Sequence, residues 1–186
     1  MLSSFLVSAG VVAVAELGDR TQLLTLLLVA RWRRPWPIVA GILVATLLNH
    51  ALAAAVGQLV AGFIPEDILR WVLGLSFIAM ALWALKPDDL DETPAVRSGL
   101  GTFLATTVLF FLVEMGDKTQ LATAALAARY DHLVLVTAGT TLGMMIANAP
   151  VAFGGEALIR RLPLRYIRWS AAALLAVIGV LTLVTF

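Results

Sequence analysis

The sequence predicts an all-α, polytopic membrane protein with six transmembrane helices, arranged as two inverted three-helix repeats. Three observations predict this fold class: the composition, the number of apolar segments and an internal repeat. Of the 186 residues, 61% are hydrophobic and only 13% are charged. A soluble domain carries about 25% charged residues, so this composition is typical of a chain that spends most of its length in lipid.

Six apolar segments are long enough to cross a bilayer, which takes about 20 residues per helix. They cover residues 3–30, 36–63, 68–85, 99–128, 132–159 and 166–185. The longest separator is acidic and carries Asp88, Asp89, Asp91 and Glu92. We therefore predict a first three-helix repeat over residues 1–86, an acidic cytoplasmic linker over 87–98 and a second repeat over 99–186.

The repeat is visible in a seven-residue motif that occurs twice within long apolar segments. Glu16-Leu-Gly-Asp-Arg-Thr-Gln22 returns as Glu114-Met-Gly-Asp-Lys-Thr-Gln120, with five of seven residues identical. An offset of 98 aligns Glu16–Trp71 with Glu114–Trp169 without a gap. A chance match would not keep its register through two loops, so the halves are predicted to share one structure.

Three helices per repeat is an odd number, so the second copy is predicted to enter the membrane from the opposite face. Inverted repeats of this kind are common in secondary transporters, whose substrate site lies near the midplane. With both termini outside, the loops at 31–35, 86–98 and 160–165 are cytoplasmic and hold most of the basic loop residues. This distribution follows the positive-inside rule, and we expect the cell (inner) membrane.

Charge and residue types exclude several classes of function. The net charge of +1 leaves no basic face for a nucleic-acid partner. The chain has no cysteine and two histidines, which excludes thiolate metal sites and makes a zinc cluster unexpected. No nucleophile–base pair and no soluble domain stand out, so we expect a protein that is not an enzyme and needs no resident cofactor.

The motif acids are the candidate ligands of a transported cation, because ionisable groups deep in a membrane are costly and usually functional. They are Glu16, Asp19, Glu114 and Asp117. Glu16 and Asp19, three apart, are expected to project from one helix face. Helical spacing also predicts ion pairs from Glu16 to Arg20 and from Glu114 to Lys118, which would leave Asp19 and Asp117 unmatched. Four acids and two charge-balancing bases sum to −2, which one divalent cation or two protons would cancel.

Neighbouring polar residues could complete an oxygen-rich site suited to Mn²⁺, Ca²⁺ or Mg²⁺. The candidates are Thr21, Gln22, Thr119, Gln120, Asn49, His50 and Asn148. His50 and Asn148 correspond under the offset of 98. Such side chains often only bridge transmembrane helices, but they could also orient the acids, and His50 could relay protons.

The paired Glu-x-Gly-Asp-(Lys/Arg)-Thr motifs resemble the GDT family of manganese/calcium–proton exchangers, part of the lysine-exporter superfamily. The resemblance covers nearly the whole chain. It implies six helices, a cation site built by both motifs, and export of Mn²⁺ or Ca²⁺ against protons, with the acids at 16, 19, 114 and 117 as ligands and proton carriers.

The sequence is also compatible with two other transport functions. A passive divalent-cation channel could use the same acids, and an exporter of another small solute, such as an amino acid, would also fit the superfamily. Oxygen ligands alone do not separate Mn²⁺ from Ca²⁺. The oligomeric state is not predicted, although two repeats in one chain could form a complete site.

Overall fold

The computed structural model describes residues 2–86, 101–159 and 164–185, and this part of the chain is all-helical. Its eight helices are α1 (Leu2–Glu16), α2 (Arg20–Trp32), α3 (Pro35–Ala61), α4 (Glu66–Ala84), α5 (Thr102–Glu114), α6 (Lys118–Tyr130), α7 (Leu133–Ile159) and α8 (Leu164–Thr185). The linker predicted over 87–98 and most of the loop predicted over 160–165 lie outside the described residues.

The first predicted segment is two helices that meet at the motif with a bend of 69°. The chain turns at Gly18, whose φ of 81° lies in the left-handed region that glycine adopts without steric cost. Asp19 follows in an extended conformation and precedes the first turn of α2. The expectation that Glu16 and Asp19 project from one face of a continuous helix is therefore wrong, because α1 ends at Glu16.

The second motif repeats this break almost residue for residue. Gly116 has a φ of 77°, and Asp117 is extended with φ −80° and ψ 164°, against −83° and 166° at Asp19. The shared offset of 98 also relates both ends of α2 to α6 and both ends of α3 to α7. The sequence repeat is thus matched by a repeat of helix boundaries and backbone conformation.

Four described helices are long and apolar enough to cross a membrane, and the bent pair α1–α2 could supply a fifth span. Leu47, Leu48, Leu52 and Leu59 on α3 are each 46–63% exposed, as expected of side chains that face lipid. The chain is therefore an integral membrane protein. The predicted segment 99–128 corresponds to α5, an apolar helix of 13 residues, followed by α6.

The helices of the two halves pack against each other in reciprocal pairs. α1 contacts α7 and α5 contacts α3; α2 contacts α7 and α6 contacts α3; α4 contacts α8. Glycine permits close approach of α1 and α7: a Cβ on Gly139 would lie 2.5 Å from the Phe5 carbonyl oxygen, and one on Gly143 would lie 2.5 Å from that of Ala9. α1 and α7 therefore run side by side in the same direction.

The break at Gly116 gives a test of the backbone requirement that is free of crowding. Among the described residues, no atom outside its immediate neighbours lies within 4 Å of a Cβ built there, so only the positive φ opposes a side chain. Gly116→Ala should lower the free energy of unfolding by about 1–2 kcal/mol, whereas Gly116→Asn should lose less because asparagine tolerates this region. Thermal unfolding in detergent measures both, and equal stability of the two variants would contradict a left-handed Gly116.

Candidate functional site

The two motif breaks meet in the interior and bring three acids together. Glu16, Asp19 and Asp117 each offer one carboxylate oxygen, and these oxygens lie within 4.8 Å of one another. The three residues are at most 2% exposed. Each acid sits at a helix end beside a glycine turn, so the break itself places the carboxylates.

Two ion pairs connect the motifs to each other. The Lys118 ammonium contacts Oδ1 of Asp19, and Nη2 of Arg20 lies 3.3 Å from Oδ1 of Asp117. The predicted pairs Glu16–Arg20 and Glu114–Lys118 are wrong, because the i,i+4 rule requires one continuous helix and each motif bends between acid and base. Asp19 and Asp117, expected to be unmatched, are the acids that hold the two bases.

The two glutamates are held instead by polar residues of α3 and α7. The Asn148 amide donates to Oε1 of Glu16 at 3.1 Å, and Nε2 of His50 lies 3.0 Å from Oε1 of Glu114. The Asn49 amide donates to Oε2 of Glu114 at 3.3 Å. Since His50 and Asn148 are equivalent in the repeat, each half reaches the glutamate of the other half in the same way.

The two motif glutamines stabilise the turns at the helix breaks. Oε1 of Gln22 accepts the Gly18 backbone N–H at 2.8 Å, and Oε1 of Gln120 accepts that of Gly116 at 2.7 Å. The Gln22 amide also donates to the Ala147 carbonyl oxygen on α7 at 2.9 Å. The structure therefore uses these amide oxygens to satisfy backbone donors that the turn exposes.

Both motif threonines are fully buried. The Thr119 hydroxyl donates to Oδ2 of Asp117, two residues earlier, at 3.4 Å. The Thr21 hydroxyl is buried and has no hydrogen-bond partner within the described part of the chain. Thr119 thus lies near enough to Asp117 to supplement its carboxylate.

Two further polar contacts at the site involve threonines that the sequence motifs do not indicate. The Thr25 hydroxyl donates to Oδ1 of Asn148 at 3.0 Å, and that of Thr46 donates to Oε2 of Glu114 at 3.3 Å. Only Thr25 has a sequence signal, because its repeat partner is Thr123. Threonine hydroxyls in apolar helices commonly donate to a backbone carbonyl oxygen one turn earlier, as Thr25 also does to Thr21. Sequence spacing therefore does not predict which threonines form a hydrogen bond with another helix.

The donor set fits a hard cation. Buried carboxylates, amides and hydroxyls offer oxygen ligands of the type that Mn²⁺, Ca²⁺ and Mg²⁺ prefer. Four acids and two bases give the cluster a formal charge of −2. A charge of this size away from water needs a compensating cation or protons.

Gln22 and Gln120 provide a matched pair for testing how the breaks are held. Gln22→Met removes both the bond to Gly18 and the bond across to Ala147, whereas Gln120→Met removes the local bond to Gly116. We expect Gln22→Met to lower the free energy of unfolding by about 1–3 kcal/mol more, since it leaves an additional buried group unsatisfied. Chemical denaturation in mild detergent compares the two, and equal losses would contradict an anchoring role for Gln22.

Comparison with known proteins gives a consistent family assignment. The family model described as "Divalent cation/proton antiporter GDT1" matches residues 4–92 and 102–185. A protein of Vibrio cholerae serotype O1 named "Putative manganese exporter" is 48% identical over 183 residues, covering 98% of this chain and 91% of its own length. A GDT1-like protein of Synechocystis is 29% identical over 177 residues, covering 84% of each chain.

No solved structure matches this chain. The family model covers both motif copies and nearly all of the described helices, so the assignment does not rest on a single segment. This chain belongs to the GDT1 family of divalent cation/proton antiporters, and it is a transporter rather than an enzyme.

Proposed function

We propose that this chain exports a divalent cation, Mn²⁺ in preference to Ca²⁺, in exchange for protons by alternating access at the motif site. The observation that carries the proposal is the buried meeting of Glu16, Asp19 and Asp117, with carboxylate oxygens within 4.8 Å of one another. Glu114 completes the four acids as a further ligand or proton carrier. Glu114 lies outside this group of three acids and contacts Asn49 and His50 of α3.

Charge balance supports exchange over one-way movement. The acids and bases of the site sum to −2, a charge that one divalent cation or two protons cancel equally. A site emptied of both would carry uncompensated charge in a low dielectric, which opposes its passage through an occluded state. The simplest stoichiometry is therefore two protons for each divalent cation.

The oxygen ligands suit Mn²⁺ and Ca²⁺ alike, so the choice between the two ions rests on sequence similarity. The relative named "Putative manganese exporter" is 48% identical and aligns with nearly the whole chain. We therefore assign Mn²⁺ as the transported substrate, with Ca²⁺ as the alternative ion.

Six spans in two inverted halves, residues 1–86 and 99–186 joined by the linker 87–98, fit the helix directions. A chain reverses direction with each span, so α1 and α7 run parallel only if an odd number of spans separates them. Their parallel packing, with Gly139 beside Phe5 and Gly143 beside Ala9, supports α5–α6 as a second broken span after α3 and α4. Loop charge favours both termini outside the cell membrane.

The burial of the site favours a carrier over the two rival transport functions. Glu16, Asp19 and Glu114 are fully buried and Asp117 is 2% exposed, so the acids line no open pore of the kind a passive channel needs. Four buried acids also suit a cation better than an amino acid, whose own carboxylate they would repel.

The decisive experiment is transport by proteoliposomes that carry a pH dye and an inward or outward Mn²⁺ gradient. Mn²⁺ flux should drive opposing proton movement, and protons should drive Mn²⁺ against its own gradient. The double variant Asp19→Asn/Asp117→Asn should reduce flux to that of protein-free liposomes, because it removes two carboxylates of the trio.

Asp67→Asn, which alters an exposed acid at the start of α4, is the matched control and should transport normally. Flux that never accumulates Mn²⁺ against a gradient would indicate a channel. Near-normal flux in the double variant would remove Asp19 and Asp117 from the site.

A further inference from the structure

We infer that Lys118 and Arg20 are tethered cations that occupy the carboxylates of the empty site and are displaced by the transported ion. This inference rests on the proposed function, since it concerns the same carboxylates. It assigns the two bases a part in the transport cycle beyond their contribution to net charge. Of the two bases, Lys118 is the one whose displacement is coupled to the conformational change.

The two bases contact carboxylate oxygens that are candidate ligands of the ion. Two members of the acidic trio each carry a side-chain cation: Lys118 contacts Asp19, and Arg20 lies 3.3 Å from Asp117. A carboxylate oxygen directed at an ammonium or guanidinium group has lone pairs that are already engaged. A divalent ion that binds Asp19 and Asp117 must therefore compete with both side chains.

The backbone around the bases makes them displaceable. Lys118 begins α6 and Arg20 begins α2, so each lies where the helix dipole disfavours a positive charge. The carboxylate of the other motif offsets this cost at each base. A divalent ion that takes over those carboxylates therefore removes a main stabilising contact of each base.

The two bases differ in where each can go once it is displaced. The Arg20 side chain is 32% exposed, whereas that of Lys118 is 6% exposed. Arg20 has room to move within this conformation because part of its side chain is exposed, but a Lys118 ammonium displaced from Asp19 would stay buried, which is strongly unfavourable. Release of Lys118 therefore requires the surrounding helices to move, which couples ion binding to the conformational change.

The return step depends on the same geometry. When the ion leaves, Lys118 and Arg20 can rejoin Asp19 and Asp117 and neutralise two of the four acids. The ion-free site then needs only two protons to cancel its remaining charge of −2 before it passes through the occluded state. Without Lys118, the Mn²⁺-loaded form should still cross, but the proton-loaded, ion-free form would keep an uncompensated buried carboxylate and should cross more slowly.

Equilibrium binding of Mn²⁺ to the purified full-length protein tests the competition. Lys118→Met should bind Mn²⁺ more tightly by about tenfold, the loss of one charged contact from the competing state. Lys118→Arg keeps the tethered charge and should stay within about threefold of the unaltered chain. Arg20→Met should gain less than Lys118→Met, because Arg20 is partly exposed and its pair with Asp117 is less buried. Thermal unfolding checks that each variant is folded, and Lys118→Gln replaces Lys118→Met if the latter is not.

Transport separates competition from a purely structural role. Lys118→Met should retain exchange of internal for external Mn²⁺ while net export slows at least about tenfold. Unchanged or weaker Mn²⁺ binding in a folded Lys118→Met or Lys118→Gln variant would overturn the inference. Absence of Mn²⁺ binding by the unaltered chain would instead overturn the proposed function, so the two failures are distinguishable.

Discussion

The reciprocal ion pairs between the two motif copies are the interaction on which the site depends. Lys118 of the second copy holds Asp19 of the first, and Arg20 of the first holds Asp117 of the second. Buried charges are stable only when paired, so neither motif could sit in the interior without the other. The pairs also join the two halves at the depth where Glu16 completes a cluster of three carboxylates.

This arrangement requires the helices to break. Gly18 and Gly116 take positive φ, Gln22 and Gln120 accept the exposed N–H groups, and α2 leaves α1 at 69°. A continuous helix would pair each glutamate with the base four residues later and leave the aspartates alone. The bend instead turns each aspartate and base toward the opposite half, which converts two local motifs into one shared site.

The helical class, the repeat and the membrane location were readable from the sequence, because apolar length and an identical motif at offset 98 are strong constraints. The ion-pair partners were not readable, since the i,i+4 rule assumes a helix that Gly18 ends. Asn148 and His50 were identified as candidates from their equivalent positions, but their contacts with Glu16 and Glu114 required the packing of α7 on α1 and of α3 on α5. Thr46 carried no signal because its repeat partner, Met144, is apolar.

The most direct test of the central claim is the position of the ion itself. Crystals of the full-length protein grown with Mn²⁺ allow anomalous diffraction at the manganese edge to locate it. We expect a single interior peak within about 2.0–2.6 Å of carboxylate oxygens from Glu16, Asp19 and Asp117, with the Lys118 ammonium moved away from Asp19. An interior peak elsewhere, with the pair between Lys118 and Asp19 intact, would contradict it.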